Sequence, residues 1–370
     1  MFNPILLAAM PIIHTVAHIR RAAPWPGNFP RTHRWYRLDL PGALCADGSP
    51  YCAYLKKGTL NKTVVCFSGG GASWNAYTAA RPITLLRMAQ GLEGYYFPHV
   101  RPYLELTLTG LLTADDSRNP FQDWNFLYLP YASGDFHVGD AEVAYTDGRG
   151  QHRVLHHHGA RNVAAALERT PKEFFGAEQV LICGDSGGAF GCVAHAPQLA
   201  DRFPHCRHFL VYADGSQVWS AQWPDILKGW NAEKSLISAL GDDGQLIRDW
   251  FLRLHRALGD RAVCLHCLST YDKVLASYQN KLNHDDYSLG GNALGEYHGP
   301  MVQAVETLQR ELPGYHRFFY DFDRDAGTGA TVHTIMRSNR FFYEATASGD
   351  SVAAWLRDAT EGKLRNVGQP

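Results

Sequence analysis

The amino-acid sequence predicts an α/β fold with a mostly parallel central sheet flanked by helices. Short, continuous apolar runs bounded by Gly, Asp or Ser recur along the chain, as in strands that are buried on both faces. Segments with apolar residues at helical spacing lie between several of these runs. This alternation of strands and helices is typical of a parallel sheet.

The first two strands are expected to form a hairpin at the start of the folded part of the chain. Residues 35–40 and 51–56 alternate between apolar and polar side chains, and the turn-forming segment 47–50 (Asp-Gly-Ser-Pro) separates them. Proline-rich residues before the hairpin predict an extended lead-in over 1–34. The remainder, 35–370, contains no long linker and is predicted to be a single domain with long loop insertions.

The later elements follow from the period of the apolar residues. The continuous apolar runs predict strands at 63–67, 125–130, 179–183, 208–212, 262–268 and 318–320. Helical spacing predicts helices at 159–170, 190–200, 235–258 and 301–312.

Charge and hydropathy exclude several classes of protein. The 370 residues carry 35 Lys and Arg against 36 Asp and Glu, so the sequence shows no basic footprint for nucleic acid. No apolar run approaches the roughly 18 residues of a membrane span. Residues 2–13 are apolar, but Pro11 interrupts them and the positive charges come after them, so there is no clear signal peptide. The cellular location and the oligomeric state stay open.

The cysteines and histidines give no strong metal signal. Several of the eight cysteines lie inside apolar runs and are expected to be buried thiols, and the Cys264–Cys267 pair has no second pair to complete a zinc site. The cluster His156-His157-His158 is expected to head a helix. Because consecutive side chains point in different directions, it is a poor chelator, and no metal or cofactor is predicted.

Ser186 is the candidate nucleophile. An apolar strand runs directly into Gly-Asp-Ser-Gly-Gly at 184–188, and a helix of small residues follows. This context is typical of a nucleophile elbow, in which glycines allow a tight strand-to-helix turn and the serine stays exposed. The same letters surround the nucleophile of trypsin-like proteases, but those enzymes place the serine on an all-β barrel after His and Asp.

A glycine-rich loop is the candidate oxyanion hole. Residues 63–67 predict a strand, and Gly69-Gly70-Gly71 follow it, so that backbone N–H groups can turn toward an anion. No Lys-Ser or Lys-Thr follows, as a phosphate-binding P-loop requires. Gly70 and Gly71, together with Gly187 after the serine, are the predicted donors.

The acid and the base are expected later in the chain, in the order Ser, Asp, His. Asp272 ends the second strand after the elbow helix and is preferred to Asp214, which ends the first and could instead cap a segment or shape the pocket floor. His333 follows the last strand on a glycine-containing loop that can reach back over the sheet. His316 precedes that strand and is the weaker candidate.

These motifs, in this order, resemble the pectin acetylesterase and Notum family, and the bacterial members most closely. Further similarities are the segments 45–50, 124–135 and 158–162. The resemblance implies an α/β-hydrolase-type serine esterase, with Ser186, Asp272 and His333 as the triad and the three glycines as oxyanion donors. The family's glycine loop usually carries a cysteine where this chain has Ser73, so the disulfide of that loop in relatives cannot form here.

The resulting hypothesis is a serine carboxylester hydrolase that needs no cofactor and removes an acetyl or longer acyl group from a small-molecule, polysaccharide or lipid ester. Two alternatives stay open: a non-catalytic carbohydrate-binding relative, and an acyltransferase that uses the same triad. The side chains proposed to contact substrate are Trp74, Trp124, His158, Asp214 and Trp219.

Overall fold

The computed structural model describes residues 22–101 and 104–370, and a central sheet of eight strands organises them. A separate two-stranded hairpin lies beside this sheet. The strands are β1 (Trp35–Leu44), β2 (Pro50–Lys56), β3 (Lys62–Phe67), β4 (Asn125–Leu129), β5 (Ala141–Thr146), β6 (His152–His157), β7 (Gln179–Asp185), β8 (Phe209–Asp214), β9 (Ala262–Ser269) and β10 (Tyr315–Tyr320).

The central sheet is mostly parallel, which confirms the predicted fold class. Its spatial order is β1-β2-β4-β3-β7-β8-β9-β10. β1 pairs with β2 and β2 with β4 in antiparallel fashion, whereas every pair from β4 to β10 is parallel. The carboxyl ends of the parallel strands therefore meet at one edge, where open α/β sheets bind their ligands.

The predicted N-terminal hairpin is confirmed: β1 and β2 pair in antiparallel register from Trp35 opposite Lys56 to Asp39 opposite Cys52. The apolar segment 2–13 lies outside the described residues. Among the residues described, no helix is long and apolar enough to cross a membrane. The boundaries 1–34 and 35–370 stay a prediction.

Helices cover the sheet and support the loops at its edge. They are α1 (Ala76–Ala79), α2 (Leu85–Ala89), α3 (Gly159–Arg169), α4 (Gly187–Ala200), α5 (Trp223–Gly229), α6 (Lys234–Ile237), α7 (Leu246–Leu258), α8 (Lys273–His284), α9 (Ala293–Glu311) and α10 (Val352–Thr360).

The prediction of one helix over 235–258 was wrong, because the segment forms α6 and α7 with a loop between them. Gly244 in that loop has φ +72, and a Cβ there would lie 2.6 Å from the backbone of Ser220. Asp249 accepts a hydrogen bond from Gly241 N–H at 2.8 Å, which fixes the loop. A left-handed glycine packed against another backbone ends a helical pattern.

Both faces of the sheet are buried, as the continuous apolar runs predicted. Along β3, Val65 and Phe67 belong to one core cluster and Val64 and Cys66 to the other, because successive side chains point to opposite faces. All eight cysteines are free thiols, and all but Cys52 are buried.

Candidate active site

Ser186 lies on a strained turn between β7 and α4. Its backbone has φ 52° and ψ −127°, a conformation that a residue with a side chain adopts only where its surroundings enforce it. The Ser186 N–H donates to the carbonyl oxygen of Asp214, on the neighbouring strand β8, at 2.7 Å. The side chain is left half-buried at the carboxyl edge of the sheet.

The glycines on either side of the serine are required by close packing. A Cβ on Gly184 would lie 2.1 Å from the carbonyl oxygen of Gly188, and a Cβ on Gly188 would lie 2.2 Å from that of Phe67. Real Cβ atoms do not approach so closely. The turn is therefore compatible with glycine at both positions and with few other residues.

The glycine loop after β3 is held beside the serine by hydrogen bonds from both sides. Gly69 N–H donates to Asp185 Oδ1 at 3.2 Å, and the Tyr131 hydroxyl donates to the Gly71 carbonyl at 2.6 Å. Gly71 has φ +80, and a Cβ there would lie 1.9 Å from the Tyr95 carbonyl oxygen. Within the described residues, the N–H groups of Gly70 and Gly71 have no hydrogen-bond partner.

Asp272 and His333 form a direct pair. Asp272 is fully buried at the start of α8, where Oδ1 accepts the N–H groups of Val274 and Leu275, both at 2.9 Å. The second oxygen, Oδ2, lies 2.6 Å from His333 Nδ1. One oxygen thus caps the helix while the other holds the imidazole, so the helix fixes the orientation of the carboxylate.

The backbone around His333 is fixed as tightly as its ring. His333 lies on the loop between β10 and α10, residues 321–351, called here the histidine loop. Thr331 N–H donates to the Tyr271 carbonyl at 2.8 Å, which ties this loop to the segment that carries Asp272. The Tyr320 hydroxyl donates to the His333 carbonyl at 2.6 Å. His333 Nε2 is buried and makes no hydrogen bond in the described part of the chain, so this nitrogen remains available.

The pKa of His333 is raised above its ordinary value of 6.5. Burial lowers it, but the charge of Asp272 and the hydrogen bond to it outweigh burial, and the more distant Asp214 and Asp185 add to the rise. A carboxylate on Nδ1 favours the protonated ring and places the Nδ1 proton toward Asp272.

Asp214 does not pair with His333 as the alternative acid would. Its Oδ2 accepts the N–H groups of Ile335 and Met336 at 2.8 and 2.7 Å, two and three residues after the histidine. Burial raises the pKa of Asp214 to about 7, against the lowering effect of these two hydrogen bonds. Asp214, at the carboxyl end of β8, therefore fixes the backbone of the histidine loop just after His333.

The serine, the histidine and the glycine loop face one cavity of about 340 Å³. Ser186, His333, Gly70, Gly71 and Gly187 all line it. The rest of the lining is mainly apolar and aromatic, from Trp74, Ile83, Phe97, Phe136, Phe190, Val218, Trp223, Val274, Leu275, Tyr278, Leu282 and Tyr287. A small polar centre within an apolar cleft is typical of a small-molecule site.

The residues suggested for substrate contact are spread more widely. Trp74 lines the cavity. Trp124 is buried in the core just before β4, at the opposite end of the strands, and Trp219 lies outside the lining and donates from Nε1 to the Asp243 carbonyl at 2.6 Å. His158 lies at the end of the β5–β6 hairpin, away from the cavity lining.

Phe136, Tyr278 and Arg337 are among the lining residues that the sequence did not single out. Phe136 follows β4 with φ 55 and is stacked on Phe190, Tyr278 projects from α8, and Arg337 follows the histidine. Arg337 Nη2 donates to Asp185 Oδ2 at 2.6 Å, directly before the serine. Only the position of Arg337 in the histidine loop could have suggested a role.

The fold and the cavity define an α/β-hydrolase-type protein. Residues 37–215 match the family model described as pectinacetylesterase, which is a family of carboxylic ester hydrolases. The resemblance stated from the sequence is confirmed. The matched range contains the glycine loop and Ser186 and ends before Asp272 and His333. No curated protein matches the chain.

Proposed function

We propose that the chain is a serine carboxylester hydrolase in which Ser186 is the nucleophile, His333 the general base and Asp272 the residue that orients the base. One observation carries this proposal. Ser186 and His333 line the same cavity, His333 Nε2 has no hydrogen-bond partner in the described part of the chain, and Nδ1 of that ring is held by a fully buried carboxylate.

In the first half of the reaction, Ser186 Oγ attacks the carbonyl carbon of the ester and its proton passes to His333 Nε2. The carbonyl π-electrons move to oxygen, and the N–H groups of Gly70, Gly71 and Gly187 stabilise that oxyanion. Gly187 begins α4, so the positive end of the helix dipole adds to this stabilisation. The oxyanion then collapses, the imidazolium protonates the leaving alcohol, and an acyl-serine remains.

In the second half, water replaces the alcohol. His333 Nε2 takes a proton from the water as its oxygen attacks the acyl-serine carbonyl, and the same three amides stabilise the second oxyanion. Collapse breaks the bond to Ser186 Oγ, which regains a proton from the imidazolium, and the carboxylic acid leaves. Asp272 keeps the Nδ1–H oriented and stabilises the positive ring in both halves.

The family match supports an acetyl ester as the substrate, since the family is described by its action on acetyl groups of pectin. The apolar lining agrees with an acyl group entering the cavity between Trp74, Phe136 and Leu275. Such a lining accepts an acetyl group and also leaves space for a longer chain.

The proposal is tested by steady-state hydrolysis of p-nitrophenyl acetate by Ser186→Ala and by a matched control, Ser73→Ala, on the glycine loop. The proposal expects kcat of Ser186→Ala to fall by about 10⁴-fold or more, with an unchanged Tm. Ser73→Ala should stay within a few-fold of the wild type. Hydrolysis by Ser186→Ala at the wild-type rate would overturn the assignment.

A further inference from the structure

The hairpin of β5 and β6 brings three metal-binding side chains together outside the catalytic cavity. Glu142 on β5 stands directly opposite His156 on β6 in the antiparallel register. His158 follows two residues later, between β6 and α3. Because side chains alternate along β6, His157 points to the side opposite His156. His158 lies just beyond the strand, and its Nε2 is 3.5 Å from Glu142 Oε1, on the same side as His156.

This arrangement corrects the expectation that all of 156–158 stands at the head of a helix. Only His158 precedes the helix α3, whereas His156 and His157 are strand residues. His157 is buried on the opposite side with Nδ1 2.9 Å from the Ser133 carbonyl. The two remaining histidines converge on Glu142, and their rings lie 5.1 Å apart.

The two distances from Glu142 fit a small tetrahedral ion. Glu142 Oε1 lies 3.3 Å from His156 Nδ1 and 3.5 Å from His158 Nε2, and one ligand atom from each residue lies within 4.8 Å of the others. Tetrahedral bonds of about 2.0–2.2 Å to nitrogen and oxygen separate the ligand atoms by roughly 3.3–3.6 Å. The side chains therefore need only small shifts to enclose an ion.

His158 supplies an independent sign that a ligand belongs here. The residue is 4% exposed, and its Nε2 makes no hydrogen bond within the described residues. A buried nitrogen that makes no hydrogen bond is costly, and the 3.5 Å contact with Glu142 Oε1 does not supply one. Glu142 is half-exposed and His156 partly exposed, so the cluster opens to solvent and leaves room for a water molecule as a fourth ligand.

We propose that Glu142, His156 and His158 form a binding site for a divalent transition-metal ion of the Zn²⁺ class, completed by water. Two imidazoles and a carboxylate are ligands that Zn²⁺ accepts. The ion cross-links β5 and β6 to the start of α3. There Gly159 N–H donates at 2.8 Å to Asp135, the residue before Phe136 in the cavity wall.

This role is structural. None of the three ligands lines the catalytic cavity. Metal binding should therefore raise the Tm and leave the triad chemistry to other residues. The proposal is independent of the esterase assignment, since its readouts are binding and stability rather than turnover.

The test is titration of untagged, EDTA-treated full-length protein with Zn²⁺ by calorimetry and with Co²⁺ by visible absorption. The proposal expects one Zn²⁺ per chain, a higher Tm with Zn²⁺, and Co²⁺ bands of a nitrogen and oxygen site. Glu142→Gln and His156→Gln should each weaken Zn²⁺ binding by on the order of 100-fold or more, since loss of a ligand exceeds the roughly 10–100-fold cost of losing an outer-shell partner.

The matched control is His152→Gln, because His152 is an exposed histidine at the far end of the same strand. It should bind Zn²⁺ as the wild type does. Glu142 is exposed, so Glu142→Gln should fold normally, and its binding is informative even if a histidine variant is unstable. No saturable Zn²⁺ binding, equal binding by Glu142→Gln, or a thiolate charge-transfer band with Co²⁺ would each overturn the proposal.

Discussion

Asp272 holds His333 through a 2.6 Å contact between Oδ2 and Nδ1, while its other oxygen caps the helix α8. The carboxylate therefore has two tasks that can be separated by substitution. An asparagine retains an oxygen for the cap, but its amide group cannot act as the charged acceptor for Nδ1–H.

Asp272→Asn should lower kcat by about 10³–10⁴-fold with little loss of stability, because an amide facing Nδ1 favours the tautomer with its proton on Nε2. In the wild type, kcat/KM should fall with decreasing pH through the raised pKa of His333, at a pH above 6.5. Loss of the carboxylate charge lowers the pKa of His333, so in the variant the fall of kcat/KM on the acidic side of the pH–rate profile should occur at lower pH. A pH–rate profile checks both statements, and an unshifted fall of kcat/KM would contradict the assignment of His333.

Gly71→Ala should disable the glycine loop. The new Cβ would lie 1.9 Å from the Tyr95 carbonyl oxygen, so the loop must move. The N–H groups of the loop would then no longer point toward the oxyanion. We expect kcat to fall by about 10²–10³-fold, the cost of one oxyanion donor in acyl transfer. Gly150→Ala is the control, since Gly150 has a similar φ of +76 and no atom near its Cβ. Equal kinetics for the two variants would argue against the oxyanion role.

Asp214→Ala should lower the free energy of unfolding by at least about 2 kcal/mol, because two buried N–H groups of the histidine loop lose their acceptor.

Asp214→Asn keeps an acceptor oxygen. The raised pKa of Asp214 means that the folded state binds a proton more tightly, so this carboxyl destabilises the fold as pH rises from about 4 to about 7. The stability of Asp214→Asn relative to wild type should therefore increase over that range in urea unfolding. A constant difference would contradict the pKa shift.

The apolar cavity should favour acyl chains longer than acetyl. Each buried methylene contributes about 0.8 kcal/mol, so kcat/KM for p-nitrophenyl esters should rise about fourfold per methylene until the cavity is filled. Ile83→Trp narrows the lining and should suppress this rise, whereas Leu60→Trp, at an exposed position outside it, should not. A rate that falls steadily from acetate onward would show that only the acetyl group fits.

The central sheet could be predicted because strands that are buried on both faces appear in the sequence as short, continuous apolar runs. The run in β3 is followed by Ser68 and a glycine loop, and the run in β7 ends at Gly184-Asp185, so the ends of these strands are also visible in the sequence. The elbow at Ser186 was also predictable, because few residues besides glycine fit at 184 and 188. Chain order then pointed to Asp272 and His333, which the structure brings into contact.

Features that depend on which loops pack together were not predictable. The β5–β6 hairpin has an outward face rich in polar residues, and its histidines were assigned to a helix because α3 begins directly after them. Phe136 and Tyr278 reach the cavity from segments far apart in the chain. Trp124 was a plausible substrate contact by type, yet its position before β4 places it at the wrong end of the sheet.

The central claim is that Ser186 is the nucleophile activated by His333, and active-site labelling tests it most directly. The native protein is treated with a fluorophosphonate, and the adduct is located by peptide mass spectrometry. We expect one adduct per chain, on Ser186, with labelling lost in Ser186→Ala and strongly slowed in His333→Ala. Absence of an adduct on Ser186, or equal labelling of the wild type and Ser186→Ala, would contradict the account.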